Sequence, residues 1–195
     1  MEIVLARHGE TEWSRDRLHT SHTDIPLTEN GRRQAALLRD ALAGRELARV
    51  LSSPLQRALE TCRLAGLGDR VELTDDLMEW HYGEYEGITT AQIREERPGW
   101  NLWRDGCPGG ESAADVGRRV DRVIAAVEEA GGDVALFAHG HVLRVLTARW
   151  LGLGPESGAL FKLDTGTLST LGYERETRAI TRWNLPVSGA APAPR

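Results

Sequence analysis

The sequence predicts one α/β domain built around a parallel sheet. Two short apolar runs, residues 3–6 and 134–138, lead into a histidine followed by glycine. Buried parallel strands deliver polar side chains to the carboxyl edge of a sheet in this way. Segments with helical periodicity lie between and after these runs. The chain has 195 residues, 41% of them apolar, which is enough for one full hydrophobic core.

The first half of the chain alternates strands with helices. Thr28 is suited to cap a helix that ends before Gly44, because its hydroxyl can accept a bond from a free backbone N–H. Ser53 and Pro54 predict a second helix, with the serine as the cap and the proline in the first position. Apolar segments predict strands at residues 3–6, 49–52 and 71–73.

The second half begins with a loop at residues 77–87 that is too rich in glycine and polar aromatic residues to be plain core. Ser112 is expected to cap a long helix that ends at the glycine pair 131–132. Further helices are predicted at 89–97 and 142–151, a strand at 134–138, and an edge hairpin at 167–173 and 179–183. The domain is therefore expected to span residues 1–184, with a disordered Pro- and Ala-rich tail at 185–195.

Composition excludes several classes of function. The 24 basic and 29 acidic residues give a net charge of −5, which argues against nucleic acid or an anionic membrane as partner. Cys62 and Cys107 have neither metal-binding nor redox spacing, so they are expected to be reduced. The chain shows no apolar leader and no membrane-spanning run, so we expect a cytoplasmic protein.

Residues suited to phosphoryl transfer converge at the predicted sheet edge. Arg7 and His8 follow the first strand, and His139 follows the strand at 134–138. Arg57 lies in the first turn of a helix, and Glu79 lies in the loop at 77–87. A neutral imidazole can attack phosphorus in line, guanidinium groups neutralise its oxygens, and a protonated carboxyl can protonate the leaving alkoxide. The arginines supply the charge stabilisation, so we expect neither a metal nor a cofactor.

Five separated motifs resemble the phosphoglycerate-mutase-like branch of the histidine phosphatase superfamily. They are Arg-His-Gly-Glu-Thr at 7–11, Leu-Thr-Glu-Asn-Gly at 27–31, Ser-Ser-Pro-Leu-Gln-Arg-Ala at 52–58, Leu-Met-Glu at 77–79 with Tyr-Gly at 82–83 and Glu-Gly at 86–87, and Ala-His-Gly at 138–140. The resemblance implies a three-layer α/β/α sandwich with a mostly parallel sheet. It also implies that His8 is the phosphorylated nucleophile and Glu79 the general acid and later base, while Arg7, Arg57 and His139 bind the transferred phosphoryl group.

The chain departs from the mutases of this branch in ways that favour water as the phosphoryl acceptor. Many relatives have asparagine where this chain has Ser14, and the segment 18–24 is similar to that of shorter acid and sugar-phosphate phosphatases. Trp80 occupies the position where true mutases usually have an arginine. The expected substrate is a small phosphorylated molecule, and its expected contacts are Thr11, Ser14, His19, Thr20, Ser21, Tyr82 and Gly140.

Several alternatives stay open at this stage. Glu84 and Glu86 compete with Glu79 as the acid, and His139 with His141 could be two metal ligands, although no third ligand follows at useful spacing. Besides a phosphomonoesterase, the motifs allow a phosphoglycerate mutase or a non-catalytic domain that binds phosphorylated ligands. Arg119 and its charged neighbours on the long helix are expected to be solvated. A homodimer through an edge strand such as 167–173 is also allowed.

Overall fold

The computed structural model describes residues 1–187 and has a six-stranded sheet. The strands are β1 Ile3–Arg7, β2 Leu47–Ser52, β3 Val71–Leu73, β4 Asp133–Ala138, β5 Thr167–Glu174 and β6 Thr177–Pro186. The α-helices are α1 Glu12–Arg15, α2 Glu29–Leu42, α3 Gln56–Leu64, α4 Thr90–Glu96, α5 Leu102–Asp105, α6 Ala113–Glu129 and α7 Gly140–Trp150. Short 3₁₀ helices lie at Gly68–Arg70, Asp75–Leu77, Gly83–Tyr85 and Pro155–Leu160.

The strands follow the spatial order β3-β2-β4-β1-β5-β6. β1 and β4 are parallel neighbours, and so are β2 and β4 and β2 and β3, whereas β5 runs antiparallel to both β1 and β6. The prediction of a mostly parallel sheet is therefore confirmed, and the carboxyl ends of β1, β4 and β2 lie side by side.

Side chains of the central strands are buried on both faces of the sheet. In β1, Ile3 and Leu5 join the core formed with α6 and α7, whereas Val4 and Ala6 join the core formed with α2 and α3. This alternation is the period-two pattern of a strand covered on both sides, and it explains the continuous apolar run in the sequence. The helices thus form two outer layers, and the predicted α/β/α sandwich is confirmed.

Two of the predicted helix caps are present, and the third is not. The Thr28 hydroxyl accepts a bond from the backbone N–H of Gly31 at 3.0 Å, and Ser112 caps α6. Ser53, however, does not cap α3, which begins at Gln56 after Leu55. The Ser53 hydroxyl accepts a bond from the backbone N–H of Leu55 at 3.3 Å, one residue before α3, and it also bonds His139 at 2.8 Å, so this side chain is part of the functional site as well.

The C-terminal hairpin differs from the prediction in two respects. The strand expected at an edge, β5, lies between β1 and β6, so the edges of the sheet are β3 and β6. β6 continues through Pro186, and Leu185 pairs with Leu168. Leu185 and Pro186 therefore belong to the sheet and not to a tail, because β5 begins early enough to pair with both of them. The predicted disorder of the last residues, 188–195, lies outside the described part of the chain.

Arg119 corrects the expectation that the charged residues of α6 are solvated. Its side chain is buried, and its guanidinium donates to the Glu111 carboxylate and to the backbone carbonyls of Asp76 and Met78. The ion pair with Glu111 compensates the cost of burying the charge. Arg119 therefore fixes the segment that leads directly into Glu79.

Within residues 1–187, no helix is both long and apolar enough to cross a membrane.

Candidate active site

A pocket of about 270 Å³ opens at the carboxyl edge of the sheet. Its volume is near the lower end of small-molecule sites, roughly 300 Å³. Arg7 at the end of β1 pairs in register with Ala138 at the end of β4, so His8 and His139 follow neighbouring strand ends. Arg7 and His8 line the pocket together with Glu79, which arrives from the loop after β3.

His8 is held as a neutral imidazole with one free nitrogen. Its Nδ1 lies 2.7 Å from the carbonyl oxygen of Gly9. Because a carbonyl can only accept, Nδ1 carries the proton and Nε2 keeps its lone pair. Burial, together with the positive charges of Arg57 and Arg7, lowers the pKa of His8 well below its usual value of 6.5. Nε2 is therefore an unprotonated nucleophile beside two guanidinium groups.

The loop that carries His8 is fixed by close backbone packing. A Cβ atom on Gly9 would lie 2.2 Å from the carbonyl oxygen of Gly31, the first-turn glycine of α2. The backbone N–H of Gly9 donates to the Thr61 hydroxyl of α3 at 3.1 Å. Only glycine permits this approach, so the Gly-Glu of the first motif and the Asn-Gly of the second form one packing unit. His8 is thereby anchored to both helices of one outer layer.

Arg57 and His139 lie behind His8 and do not line the pocket. Arg57 is fully buried, and its Nε donates to Nδ1 of His139 at 3.1 Å while its Nη2 donates to the Ser21 carbonyl at 2.9 Å. His139 therefore carries its proton on Nε2, which donates to the Ser53 hydroxyl at 2.8 Å. The His8 and His139 rings are 5.1 Å apart between centroids. Both residues join the predicted cluster, but in this structure they support His8 from below the pocket floor.

The Glu79 carboxylate sits on the N-terminus of α7. Oε1 accepts bonds from the backbone N–H groups of Trp80 and Val142, each at 2.9 Å, and Oε2 accepts one from His141 at 3.0 Å. A carboxylate oxygen can accept two hydrogen bonds, so Oε2 retains capacity for one more. Glu79 also lines the pocket with His8, and Oε2 is therefore the oxygen available to a bound molecule.

The two competing glutamates do not line the pocket. Oε1 of Glu86 accepts bonds from the backbone N–H groups of Ser21 and Thr23, at 3.1 Å and 2.7 Å, and so holds the loop before α2. Glu84 lies in the 3₁₀ helix Gly83–Tyr85 and is likewise absent from the pocket wall. Of the three candidates, the structure brings only Glu79 together with His8.

Most of the predicted substrate contacts lie on the pocket wall. These are Thr11, Ser14, His19, Thr20, Tyr82 and Gly140. Thr11 and Ser14 form the reciprocal capping box of α1, so their hydroxyls are largely occupied by the helix end. Ser21 is the exception to the prediction: its carbonyl binds Arg57, and its hydroxyl is buried without a partner in the described residues. It lies behind the wall because Glu86 and Arg57 hold its backbone.

Six further pocket residues were missed by sequence reasoning, and three of them, Arg17, His141 and Arg144, carry a guanidinium or imidazole group. His141 and Arg144 follow the second His-Gly motif, and both positions share one face of α7 because they are three residues apart. That spacing was a usable signal. Arg17 directly follows the C-cap of α1 in a left-handed conformation, with φ 61°. The sequence carries no clear signal for it, because arginine seldom adopts this conformation.

Tyr82 and His141 form a buried pair beside Glu79. The tyrosine oxygen lies 2.5 Å from Nδ1 of His141, and the latter lies 3.9 Å from Oε2 of Glu79. Burial, followed by the positive charge of Arg144, lowers the pKa of His141 well below 6.5. Burial raises the pKa of Tyr82 well above its usual range. Both groups are therefore neutral near pH 7, and the carboxyl group of Glu79 lies beside them.

No group of three or more His, Cys, Asp or Glu side chains within residues 1–187 is arranged to hold a metal ion. The His139 and His141 pair does not form one either, because His139 is bonded to Arg57 and Ser53 while His141 is bonded to Tyr82. The polar side chains at the pocket are imidazole, guanidinium and hydroxyl groups and one carboxylate, and the guanidinium groups suit an anionic ligand.

The buried histidines predict a stability that depends on pH. The pKa values of His8, His139 and His141 lie well below 6.5 in the folded protein, chiefly because of burial. Below pH 6.5 the unfolded chain therefore binds protons that the folded chain does not, and stability is lost as the pH falls through this value. We expect the free energy of unfolding in urea to fall by up to about 1.4 kcal/mol per pH unit for each group.

The control for this prediction is His141→Asn, which removes one of the three imidazoles. Its free energy of unfolding is expected to fall less steeply between about pH 6.5 and about pH 5.5 than that of the parent chain. Equal slopes in the two proteins, or a parent stability that does not change over this interval, would contradict the neutral state assigned to these rings.

Comparisons with known proteins agree with this site. The family model of the histidine phosphatase superfamily, branch 1, matches residues 3–186. An acid phosphatase of Mycobacterium tuberculosis is 42% identical over 182 residues, which cover 91% of this chain and 89% of that protein. The sedoheptulose 1,7-bisphosphatase of Saccharomyces cerevisiae is 38% identical over 184 residues, which cover 77% of this chain and 68% of that protein.

A solved structure of an open reading frame product from Mycobacterium tuberculosis has the same fold. It superposes with a TM-score of 0.90 at 41% sequence identity, covering 95% of this chain and 97% of that one. The resemblance drawn from the five motifs is thereby confirmed over nearly the whole described structure. The chain belongs to branch 1 of the histidine phosphatase superfamily.

Proposed function

We propose that this chain is a metal-independent phosphomonoesterase that hydrolyses small phosphorylated molecules through a phosphohistidine on His8. The observation that carries the proposal is the fixed state of that ring: the bond to the Gly9 carbonyl places the proton on Nδ1, and the lowered pKa of the buried imidazole leaves Nε2 unprotonated. A buried neutral imidazole between Arg7 and Arg57 is suited to attack an anionic phosphoryl group.

In the first step, Nε2 of His8 bonds to phosphorus and the bond from phosphorus to the ester oxygen breaks. The Arg7 guanidinium lines the pocket beside His8, and its Nη1 donates to the Leu163 carbonyl, whereas its Nη2 makes no hydrogen bond to the described residues. That donor is available to a non-bridging phosphoryl oxygen. Glu79, protonated at Oε2, gives its proton to the leaving alkoxide, so the product alcohol departs neutral.

In the second step, the Glu79 carboxylate takes a proton from water while the water oxygen attacks phosphorus. The bond from phosphorus to Nε2 breaks, orthophosphate is released, and His8 returns to its neutral tautomer. Arg57 and His139 hold the ring from behind through the contact between the two imidazoles. They stabilise the charge that develops on His8 and its phosphoryl group from behind the pocket wall.

Hydrolysis is preferred to transfer onto a second bound molecule. Trp80 follows the acid, is fully buried, and donates its indole N–H to the Glu111 carbonyl at 2.9 Å. This position therefore offers no cation to hold a phosphoglycerate. Both named relatives are phosphatases, which favours the same conclusion. The cytoplasmic location and the homodimer expected from the sequence stay predictions.

Orthophosphate release from a panel of phosphomonoesters tests this function. We expect equal kcat/KM with p-nitrophenyl phosphate in EDTA and in MgCl₂, because guanidinium groups provide the charge stabilisation that a metal would supply. A coupled assay for the interconversion of phosphoglycerates, with bisphosphoglycerate present, is expected to give a far lower rate than hydrolysis. Activity abolished by EDTA and restored by Mg²⁺ would refute metal independence, and faster interconversion than hydrolysis would identify a mutase.

A further inference from the structure

The pocket wall carries more positive charge than its own carboxylate can balance. Arg7, Arg17 and Arg144 line it, and the only carboxylate among the described lining residues is that of Glu79. His8 and His141, which also line it, are neutral because burial lowers their pKa values. The wall therefore has a net positive charge near pH 7, before the buried charge of Arg57 behind His8 is counted.

Arg144 is held rigidly in this wall. Its Nε donates to the Gly158 carbonyl at 3.0 Å, its Nη2 donates to the Ala159 carbonyl at 3.2 Å, and its Cζ lies 4.6 Å from the centroid of the Trp103 ring. The side chain is half-buried, yet no carboxylate within residues 1–187 forms an ion pair with it. Nη1 makes no hydrogen bond to the described residues, so one edge of a preorganised guanidinium is available in the pocket.

The surroundings of Arg144 disfavour its positive charge. Burial, followed by the positive charge of Arg7, lowers the pKa of Arg144 to about 10. Two guanidinium groups that disfavour each other across one pocket are stabilised when an anion lies between or beside them. Arg7 adjoins His8 and serves the phosphoryl group that is transferred, so Arg144 is left for a different anionic group.

Arg17 adds a second cation at the mouth of the same pocket. It is exposed, whereas His8 at the floor is only 5% exposed, so the two residues mark opposite ends of the cavity. Its left-handed backbone, φ 61°, directly follows the C-cap of α1. No carboxylate in the described part of the chain pairs with it.

Resting on the proposed function, we infer that Arg17 and Arg144 form a second anion subsite, so that the preferred substrates carry a further phosphate or carboxylate group at the end remote from the transferred phosphoryl group. Leu18, Leu163 and the Tyr82 ring line the space between and suit a short carbon chain. A rigid arginine with a free edge is well matched to such oxygen groups.

Matched substrate pairs test the subsite. The first comparison is between fructose 1,6-bisphosphate and each of the two fructose monophosphates. The second is between 3-phosphoglycerate and glycerol 3-phosphate. In the parent protein we expect kcat/KM to be roughly 10- to 100-fold higher for the member with the second anion in at least one pair, as for a charge-assisted hydrogen bond. The pair that shows the preference identifies the remote group as phosphate or carboxylate.

The variants are Arg144→Gln and Arg17→Gln, and the readout is the ratio of kcat/KM within a pair. We expect this ratio to fall toward unity in both. Arg149→Gln, on the same helix but paired with Asp121, and Arg15→Gln, on α1 but paired with Asp16, are the matched controls and are expected to keep the parent ratio. Because each ratio compares two substrates on one protein, a general loss of activity or folding cancels.

Two results overturn the inference: a parent ratio near unity in both pairs, or a parent preference that survives in both pocket variants. Failure of the proposed function is distinguishable from either. In that case replacing His8 leaves hydrolysis of p-nitrophenyl phosphate intact, whereas failure of the subsite alone leaves hydrolysis dependent on His8 and removes only the preference for a second anion.

Discussion

Replacing His8 by asparagine is expected to lower kcat/KM for every phosphomonoester by roughly 10⁴-fold or more, because the nucleophile is removed and no other group takes its place. The amide of asparagine can still donate to the Gly9 carbonyl, to which Nδ1 of His8 donates at 2.7 Å. The change therefore preserves the local hydrogen bond while it removes the free nitrogen Nε2. Phosphate release and p-nitrophenol release both measure the loss.

The matched control is His22→Asn, the same substitution in an exposed residue of the neighbouring loop. His22 stacks on His81 and does not line the pocket, so its variant is expected to keep parent activity. Circular dichroism and urea unfolding establish that the His8 variant is folded. A folded His8→Asn protein with more than about a tenth of parent activity would contradict the role assigned to His8.

Replacing Glu79 by glutamine is expected to separate substrates by their leaving groups. For sugar phosphates, whose alkoxides need a proton to depart, kcat/KM should fall by roughly 10²- to 10⁴-fold. For p-nitrophenyl phosphate kcat/KM should fall far less. The ratio kcat/KM depends only on the steps up to the departure of the leaving group, and p-nitrophenolate departs without a proton. The kcat for p-nitrophenyl phosphate should still fall, since water is no longer activated in the second step.

The Glu79→Gln substitution also changes the hydrogen bonds that hold this side chain. Three backbone N–H groups donate to the carboxylate of Glu79, and an amide nitrogen cannot accept from any of them, so the new side chain is held less firmly. Glu84→Gln is the control, because Glu84 lies off the pocket wall. Equal losses in kcat/KM for sugar phosphates and p-nitrophenyl phosphate would show that Glu79 is not the acid.

The sequence predicted the fold and the centre of the site because both depend on local patterns. An apolar run that ends in Arg7 and His8, and a second that ends in His139, indicate parallel strands with their polar ends at one sheet edge. The close packing of Gly9 on Gly31 explains why two of the motifs contain glycine at these positions. Such requirements act within a few residues and are therefore visible in a single sequence.

Features that depend on packing between distant segments were missed. Arg119 has the spacing of a solvated helix residue, and only the arrival of Glu111 and the carbonyls near residue 77 makes its burial favourable. Ser53 has the position of a cap, but its hydroxyl bonds Leu55 ahead of the helix and His139 from another strand end. Arg17 and Arg144 likewise become pocket residues only after α1 and α7 meet across the site. Tertiary partners decided each of these cases, and only Arg144, three residues after His141 on α7, had a usable signal in its local spacing.

The central claim is that the phosphoryl group passes through His8, and trapping the phosphoenzyme tests it most directly. The Glu79→Gln protein is mixed rapidly with p-nitrophenyl phosphate labelled in the phosphoryl group and quenched in alkali, in which phosphohistidine survives. We predict a burst of about one p-nitrophenol per active site, with the label on the peptide that contains His8. The double variant that carries both Glu79→Gln and His8→Asn is expected to give neither the burst nor the labelled peptide. Turnover by the parent protein with no burst and no labelled peptide in the Glu79 variant would contradict the account.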